Sequence, residues 1–247
     1  FELDATPPVI SEVSPPSGSW LSYGDHIITV NASDAHLHNA TLYVFMDGVL
    51  NPVAWDNDTT DGITFWVNIS EDDDGPDEGS YTLMVVVRDS AGNSNSTTLE
   101  INVDLTPPDV EIVSDLPRYI NPGDDINISM NVTDASGEVA IVVMLDNSTV
   151  LYNGTVFCGG RAIESIPVHI PDVLDDGIHT LNIIARDRAG NEMYLTMEFV
   201  VDTIPPEIHV YYPSTVYTGT EVVLDASNTT DTCANLSFSW YISGPES

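Results

Sequence analysis

One phrase in this chain returns almost unchanged about a hundred residues later. Val85 to Pro108 reads VVVRDSAGNSNSTTLEINVDLTPP, and Ile183 to Pro206 reads IIARDRAGNEMYLTMEFVVDTIPP. Its closing Asp-x-x-Pro-Pro occurs three times, beginning at Asp4, Asp104 and Asp202, with spacings of 100 and 98 residues. Other landmarks keep step: Gly24-Asp25 with Gly123-Asp124, Asp34 with Asp134, Gly79 with Gly177, Arg88-Asp89 with Arg186-Asp187. Self-similarity at a fixed period marks repeated folding units. The 247 residues therefore divide into modules at 1–103 and 104–201 and the beginning of a third at 202–247.

Within a module, apolar and polar residues alternate over short runs. Ile126, Ile128 and Met130 are interleaved with Asn127, Ser129 and Asn131, the period-two pattern of a half-buried strand. Turn residues recur every 8–12 positions, as in Pro-Pro-Ser-Gly at 15–18, Asp47-Gly48, Asp61-Gly62 and Ala-Gly-Asn at 91–93. No stretch carries helical periodicity. Many short strands at this spacing predict an all-β chain of tandem immunoglobulin-like antiparallel β-sandwiches. Val85, Val87, Ile183 and Ala185 are expected to face inward from the penultimate strands.

In combination, Asp-x-Thr-Pro-Pro, Gly-x-Tyr/His-Thr-Leu at 79–83 and 177–181, and Arg-Asp-x-Ala-Gly-Asn resemble the immunoglobulin-like modules strung along bacterial and archaeal secreted and surface-layer proteins. The resemblance covers residues 4–201. The third segment, VVLDASNTTDTCANLSFSWYISG, looks like the opening strands of a polycystic-kidney-disease-type (PKD) module, also common in archaeal surface proteins. Three strands cannot close a sandwich, so the natural chain is expected to continue past Ser247. The lack of a basic-then-apolar leader before Phe1 is read as a signal peptide removed or lying upstream.

In such a sandwich the amino terminus, the loop after the second strand and the last hairpin turn share one pole. For the second module these carry Asp104, Asp134 and Asp187, facing the acidic run SEDDDGPDEG of the first, which includes Asp72 and Asp74. Asp202 and Asp231 are the matching groups of the third. Converging carboxylates are a set that Ca²⁺ accepts, since it takes 6–8 oxygens; cadherins join tandem sandwiches in a way similar in outline. Ca²⁺ at the junctions is one expectation. The other is that each Asp accepts the amides of its own turn while Pro-Pro stiffens the linker.

The charge also shapes the choice of partners. Thirty-nine acidic residues against five Arg and no Lys give −34, which argues against nucleic acid and anionic lipid as electrostatic partners. High-salt adaptation, metal binding and solubility by self-repulsion all fit such a surface. No apolar run approaches the ~18 residues of a membrane span.

Eleven of the seventeen Asn residues begin an Asn-x-Ser/Thr triplet: Asn31, Asn39, Asn57, Asn68, Asn95, Asn127, Asn131, Asn147, Asn153, Asn228 and Asn235. With Ser plus Thr at 44 of 247 residues, chance gives about three. The excess points to N-glycan acceptor sites on an exported, extracellular surface.

Smaller signals read as structural. Asp56, Asp58, Asp61 and Gly62 lack the alternation and closing Glu of a calcium loop. His36 and His38 share a strand face without a third ligand in sequence, and read as a solvated loop rather than a zinc site. Cys158 and Cys233 lie in different modules; they are buried or free thiols unless the modules fold back on one another. Trp20, Trp55, Trp66 and Trp240 read as core or edge-strand residues. Neither a Gly-x-Ser-x-Gly elbow nor a Gly-rich phosphate loop occurs. The expectation is a non-enzymatic structural or adhesive surface glycoprotein whose partners are other copies or other surface proteins. The alternatives are spacer modules of a secreted hydrolase and carbohydrate-binding modules.

Overall fold

The computed structural model describes residues 3–46, 49–57, 62–70, 76–158, 162–232, 236–241 and 243. Asp72, Asp74, Asp58, Asp61, Asn235 and Cys233 lie outside them.

The chain is all-β among the described residues. The first module contains β1 (Val9–Ser14), β2 (Ser19–Leu21), β3 (Gly24–Ser33), β4 (Leu37–Met46), β5 (Val49–Asp56), β6 (Ile63–Ile69), β7 (Gly79–Asp89) and β8 (Ser94–Val103). They build two sheets, in the order β1-β3-β6 and β2-β8-β7-β4-β5. The second module contains β9 (Asp109–Ile112), β10 (Asp125–Thr133), β11 (Glu138–Leu145), β12 (Thr149–Phe157), β13 (Ala162–His169), β14 (Gly177–Arg186) and β15 (Glu192–Val201). Its sheets run β13-β10-β9 and β12-β11-β14-β15. No sheet mixes the two modules. Each is an immunoglobulin-like sandwich, with three strands facing four or five.

The entry strand switches sheets in both modules. In the first, β1 pairs antiparallel with β3, and β2 then pairs parallel with β8. In the second, β9 joins β10, and Tyr119 makes the equivalent parallel bridge to Val200. Among its described residues the third segment contributes only isolated bridges, Glu207 to Thr230 and Tyr211 to Asp225.

Period two governs the cores. Val85, Val87, Ile183 and Ala185 are buried, and each module has its own apolar cluster. β-Branched residues dominate both because they suit a pleated, half-buried surface. Trp55 and Trp66 lie on strands at sheet edges and are 70% and 69% exposed.

The cores differ at one cross-strand position. Tyr81 stands opposite Ile101 in the first module, and His179 opposite Phe199 in the second. Phe199 is 1% exposed and its ring packs 5.6 Å from that of His179. In the first module a partly open cleft of about 320 Å³ lies among Leu21, Leu42, Ile101 and the exposed Val53 and Trp66. Truncating Phe199 to Ala should cost the second module about 3–5 kcal/mol, read as a lowered denaturant midpoint for that module's unfolding transition.

Candidate functional site

The repeated phrase folds into a carboxylate-centred turn. Asp187 Oδ1 accepts the amides of Gly190 (2.6 Å) and Asn191 (2.9 Å), and its Oδ2 accepts the Asn191 side-chain amide at 2.7 Å. Asp89 does the same with Ala91 (2.9 Å), Asn93 (2.8 Å) and the Asn93 side chain (2.8 Å). Gly190 and Gly92 sit at φ 100° and 92°, a left-handed conformation that glycine adopts without a Cβ penalty.

The Asn side chain then reaches across the module. Asn191 Nδ2 donates to the carbonyl of Asp104 at 2.9 Å and to that of Thr106 at 3.2 Å. Asn93 Nδ2 reaches the carbonyls of Asp4 and Thr6 at 3.3 and 3.5 Å. The phrase therefore ties the last hairpin of each module to the linker that enters it.

The same linker is held from the first module. Asp104 N donates to Leu21 O at 3.0 Å, Leu105 N donates to Glu78 Oε1 at 3.2 Å, and Leu105 packs on the first module's core. Arg188 of the second module lies in a cleft with Ser17, Gly18 and Trp20 of the first.

At this junction the three Asp residues expected from the repeat come together. Oxygens of Asp104, Asp134 and Asp187 all lie within 4.8 Å of one another. Asp134 Oδ1 is engaged by the Ser136 amide at 2.8 Å and by the Ser136 hydroxyl. Asp104 Oδ1 accepts Thr106 N at 3.3 Å and Thr106 Oγ1 at 3.4 Å, whereas its Oδ2 is buried and accepts no hydrogen bond. Asp104 is only 1% exposed. Burial pushes its carboxyl up; the Thr106 amide opposes this, and the charges of Asp134, Asp187 and Glu78 add to it.

The first module gathers a different set, Asp4, Asp34 and His36. His36 Nδ1 lies 3.4 Å from Asp4 Oδ2, and the His36 amide donates to Asp34 Oδ1 at 2.8 Å. The sequence reads His36 with His38 as part of a solvated loop; it lies instead beside Asp4, 32 residues earlier in the chain. At the second junction, Asp202 and Asp231 line one cleft with Tyr119, Asn121, Ile204 and Leu236. Asp202 Oδ1 accepts the Ile204 amide at 3.0 Å, and its Oδ2 accepts the Thr232 hydroxyl at 2.7 Å. Among the described residues no third acidic or His side chain joins them. Glu78 belongs to the acidic run expected to face this pole, but nothing in the sequence singles it out from the other acids of that run.

A second polar cluster holds the other pole of the second module. His179 Nδ1 meets Asp146 Oδ2 at 2.7 Å and its Nε2 meets the carbonyl of Asp175 at 2.8 Å. Carbonyl and carboxylate oxygens only accept, so this arrangement is fully hydrogen-bonded when both ring nitrogens carry a proton. In the first module Tyr81 makes the corresponding bond, its hydroxyl donating to Asp77 O at 2.8 Å.

Of the ten acceptor Asn residues described, Asn31, Asn57, Asn68, Asn95, Asn127, Asn147, Asn153 and Asn228 are exposed. Asn39 and Asn131 are half-buried, each with an amide oxygen enclosed and unbonded. Cys158 is a free, half-buried thiol. Among the described residues no helix is long and apolar enough to cross a membrane.

No known protein family matches the sequence. No curated protein does either. Solved structures do match. The FN1-FN3 domains of chicken CNTN1 are 14% identical with a TM-score of 0.45, covering 79% of this chain and 68% of that one. A Ca²⁺-stabilised adhesin with which an Antarctic bacterium binds ice is 19% identical with a TM-score of 0.36, covering 86% and 53%. Dimeric latent PorU from Porphyromonas gingivalis is 14% identical with a TM-score of 0.31, covering 80% of this chain; the chain spans only 20% of its length.

Two measurements follow. In protein exported by a glycosylating host, glycopeptide mapping should find glycan among the eight exposed acceptors and none at Asn39 or Asn131. The His179 pair should also govern a pH response. Burial pulls its imidazole down, but the bonds to Asp146 and the Asp175 carbonyl outweigh this and leave it raised. Burial pushes Asp146 up, and the bonds from His179 and Thr180 outweigh that and leave it lowered. The stability from His179 is thus complete below about pH 6.5, its unfolded value, and is lost as pH rises through the higher folded value. The unfolding midpoint of the second module should fall across that interval, and His179→Gln should flatten the fall.

Proposed function

We propose that this chain is a non-catalytic segment of an extracellular surface glycoprotein, in which tandem sandwiches form a stiff stalk or surface-layer element. The observation that carries this reading is the doubly held linker between the modules. Asn191 and Asp187 hold it from the second module, and Leu21 and Glu78 hold it from the first. A linker bonded on both sides costs a bend several hydrogen bonds, each worth about 0.5–1.5 kcal/mol. A binding or catalytic module needs no such joint; a spacer that must keep its ends apart does.

The surface supports the same role. At −34 the modules repel one another, which favours extension over collapse. Glycans on the exposed acceptors would cover faces that are not used for contact. The repeated phrase and the third segment fit the bacterial and archaeal surface modules, including PKD-type ones, that they resemble. Other copies of the chain or other surface proteins are the partners that suit such a stalk.

Small-angle scattering of the chain tests the reading. A stiff, elongated particle is expected, and Asn191→Ala should turn it into a flexible ensemble while both modules remain folded. A wild-type profile already showing freely jointed modules would refute the stalk.

A further inference from the structure

We propose that the carboxylates of Asp104, Asp134 and Asp187 hold one Ca²⁺ ion at the junction of the two sandwiches. The leading observation is that Asp104, a member of this cluster, is buried and has one carboxylate oxygen, Oδ2, that accepts no hydrogen bond among the described residues. Leaving a carboxylate oxygen dry and unbonded is costly. Among the described residues no arginine forms an ion pair with any of the three to relieve that cost; Arg186 pairs instead with Glu192 at 3.8 Å.

The geometry suits one ion. Ligand oxygens at 2.3–2.6 Å from a common Ca²⁺ stand at most about 5 Å apart, and these lie within 4.8 Å of one another. An all-oxygen set favours a hard cation over zinc or copper, which prefer nitrogen and sulfur. Mg²⁺ demands near-ideal octahedral geometry and gives up its water reluctantly, whereas Ca²⁺ accepts an irregular set. The three ligands are also held before any ion arrives. Asp187 is fixed by its own turn, Asp134 by Ser136, and Asp104 by the linker bond to Leu21.

At the matching pole of the first module, His36 lies beside Asp4, at the position held in the second module by Ser136. In addition, Asp4 is half-exposed where Asp104 is buried. The second module therefore lacks at this pole both the basic side chain and the solvent access that the first module has there.

Calorimetry and thermal melting of the whole chain, with CaCl₂ or MgCl₂ at fixed ionic strength, test this independently of the stalk. One Ca²⁺ per chain is expected, at about 10⁻⁴–10⁻³ M as for extracellular modules, with a rise in the melting temperature of the second module that Mg²⁺ does not reproduce. Asp134→Asn should weaken binding at least tenfold, and Asp34→Asn should leave it unchanged. Asp104→Asn, which removes the buried charge, should raise the calcium-free melting temperature and abolish the calcium response. The proposal is overturned by absent binding heat in the wild type, by equal effects of Ca²⁺ and Mg²⁺, or by a calcium response that survives Asp104→Asn and Asp134→Asn. These results leave the scattering test of stiffness untouched.

Discussion

The architecture depends on a buried carboxylate that organises the last hairpin turn and, through a neighbouring Asn, captures the incoming linker. Asp187 and Asn191 do this in the second module, and Asp89 and Asn93 in the first. Because Asn191 donates to the carbonyl of Asp104, the linker's direction is set by the module it enters. Every other feature of the junction follows from that direction. Leu105 turns back onto the first core, Glu78 reaches the Leu105 amide, and Asp104 is carried into the acidic cluster.

Much of this was legible in the sequence, because a repeat translates sequence spacing into spatial coincidence. Alternation placed Val85, Val87, Ile183 and Ala185 in the cores, where they are buried. The recurrence of Asp104, Asp134 and Asp187 at matching landmarks brought them to one pole, where their oxygens meet. Single contacts were less legible, since they depend on side chains far apart in the chain. The Asn191 bond to Asp104 spans 87 residues, and no local pattern distinguishes Glu78 within SEDDDGPDEG.

Asn131 shows how neighbours override alternation. It shares the polar face of β10 with Asn127, yet its amide oxygen is enclosed while Asn127 is exposed. The difference lies in the strands alongside. β10 is central in its sheet, and β9 covers it only from Met130 to Thr133, so Asn131 has strands on both sides and Asn127 has only β13. Period two records which face a residue occupies, but not how many strands flank it.

The scarcity of cations explains why the turns carry so much of the order. With five arginines in 247 residues, most carboxylates that leave water must be stabilised by N–H donors, and two or three such bonds suffice for an anion. Asp89 and Asp187 each collect three within a few residues of themselves. Asp104 cannot, because it sits in a linker extended between two sandwiches, where only Thr106 offers donors, at 3.3 and 3.4 Å and to one oxygen alone. The exposed charges of the surface are screened within about 8–10 Å by ordinary salt. The bonds from the Asn191 side chain to Asp187 and to the Asp104 carbonyl are short and part-buried, and are less sensitive to it. Rigidity at the joint is thus set by donor placement in the repeated phrase and by the Leu21 and Glu78 contacts, and the acidic surface away from Glu78 can vary without loosening it.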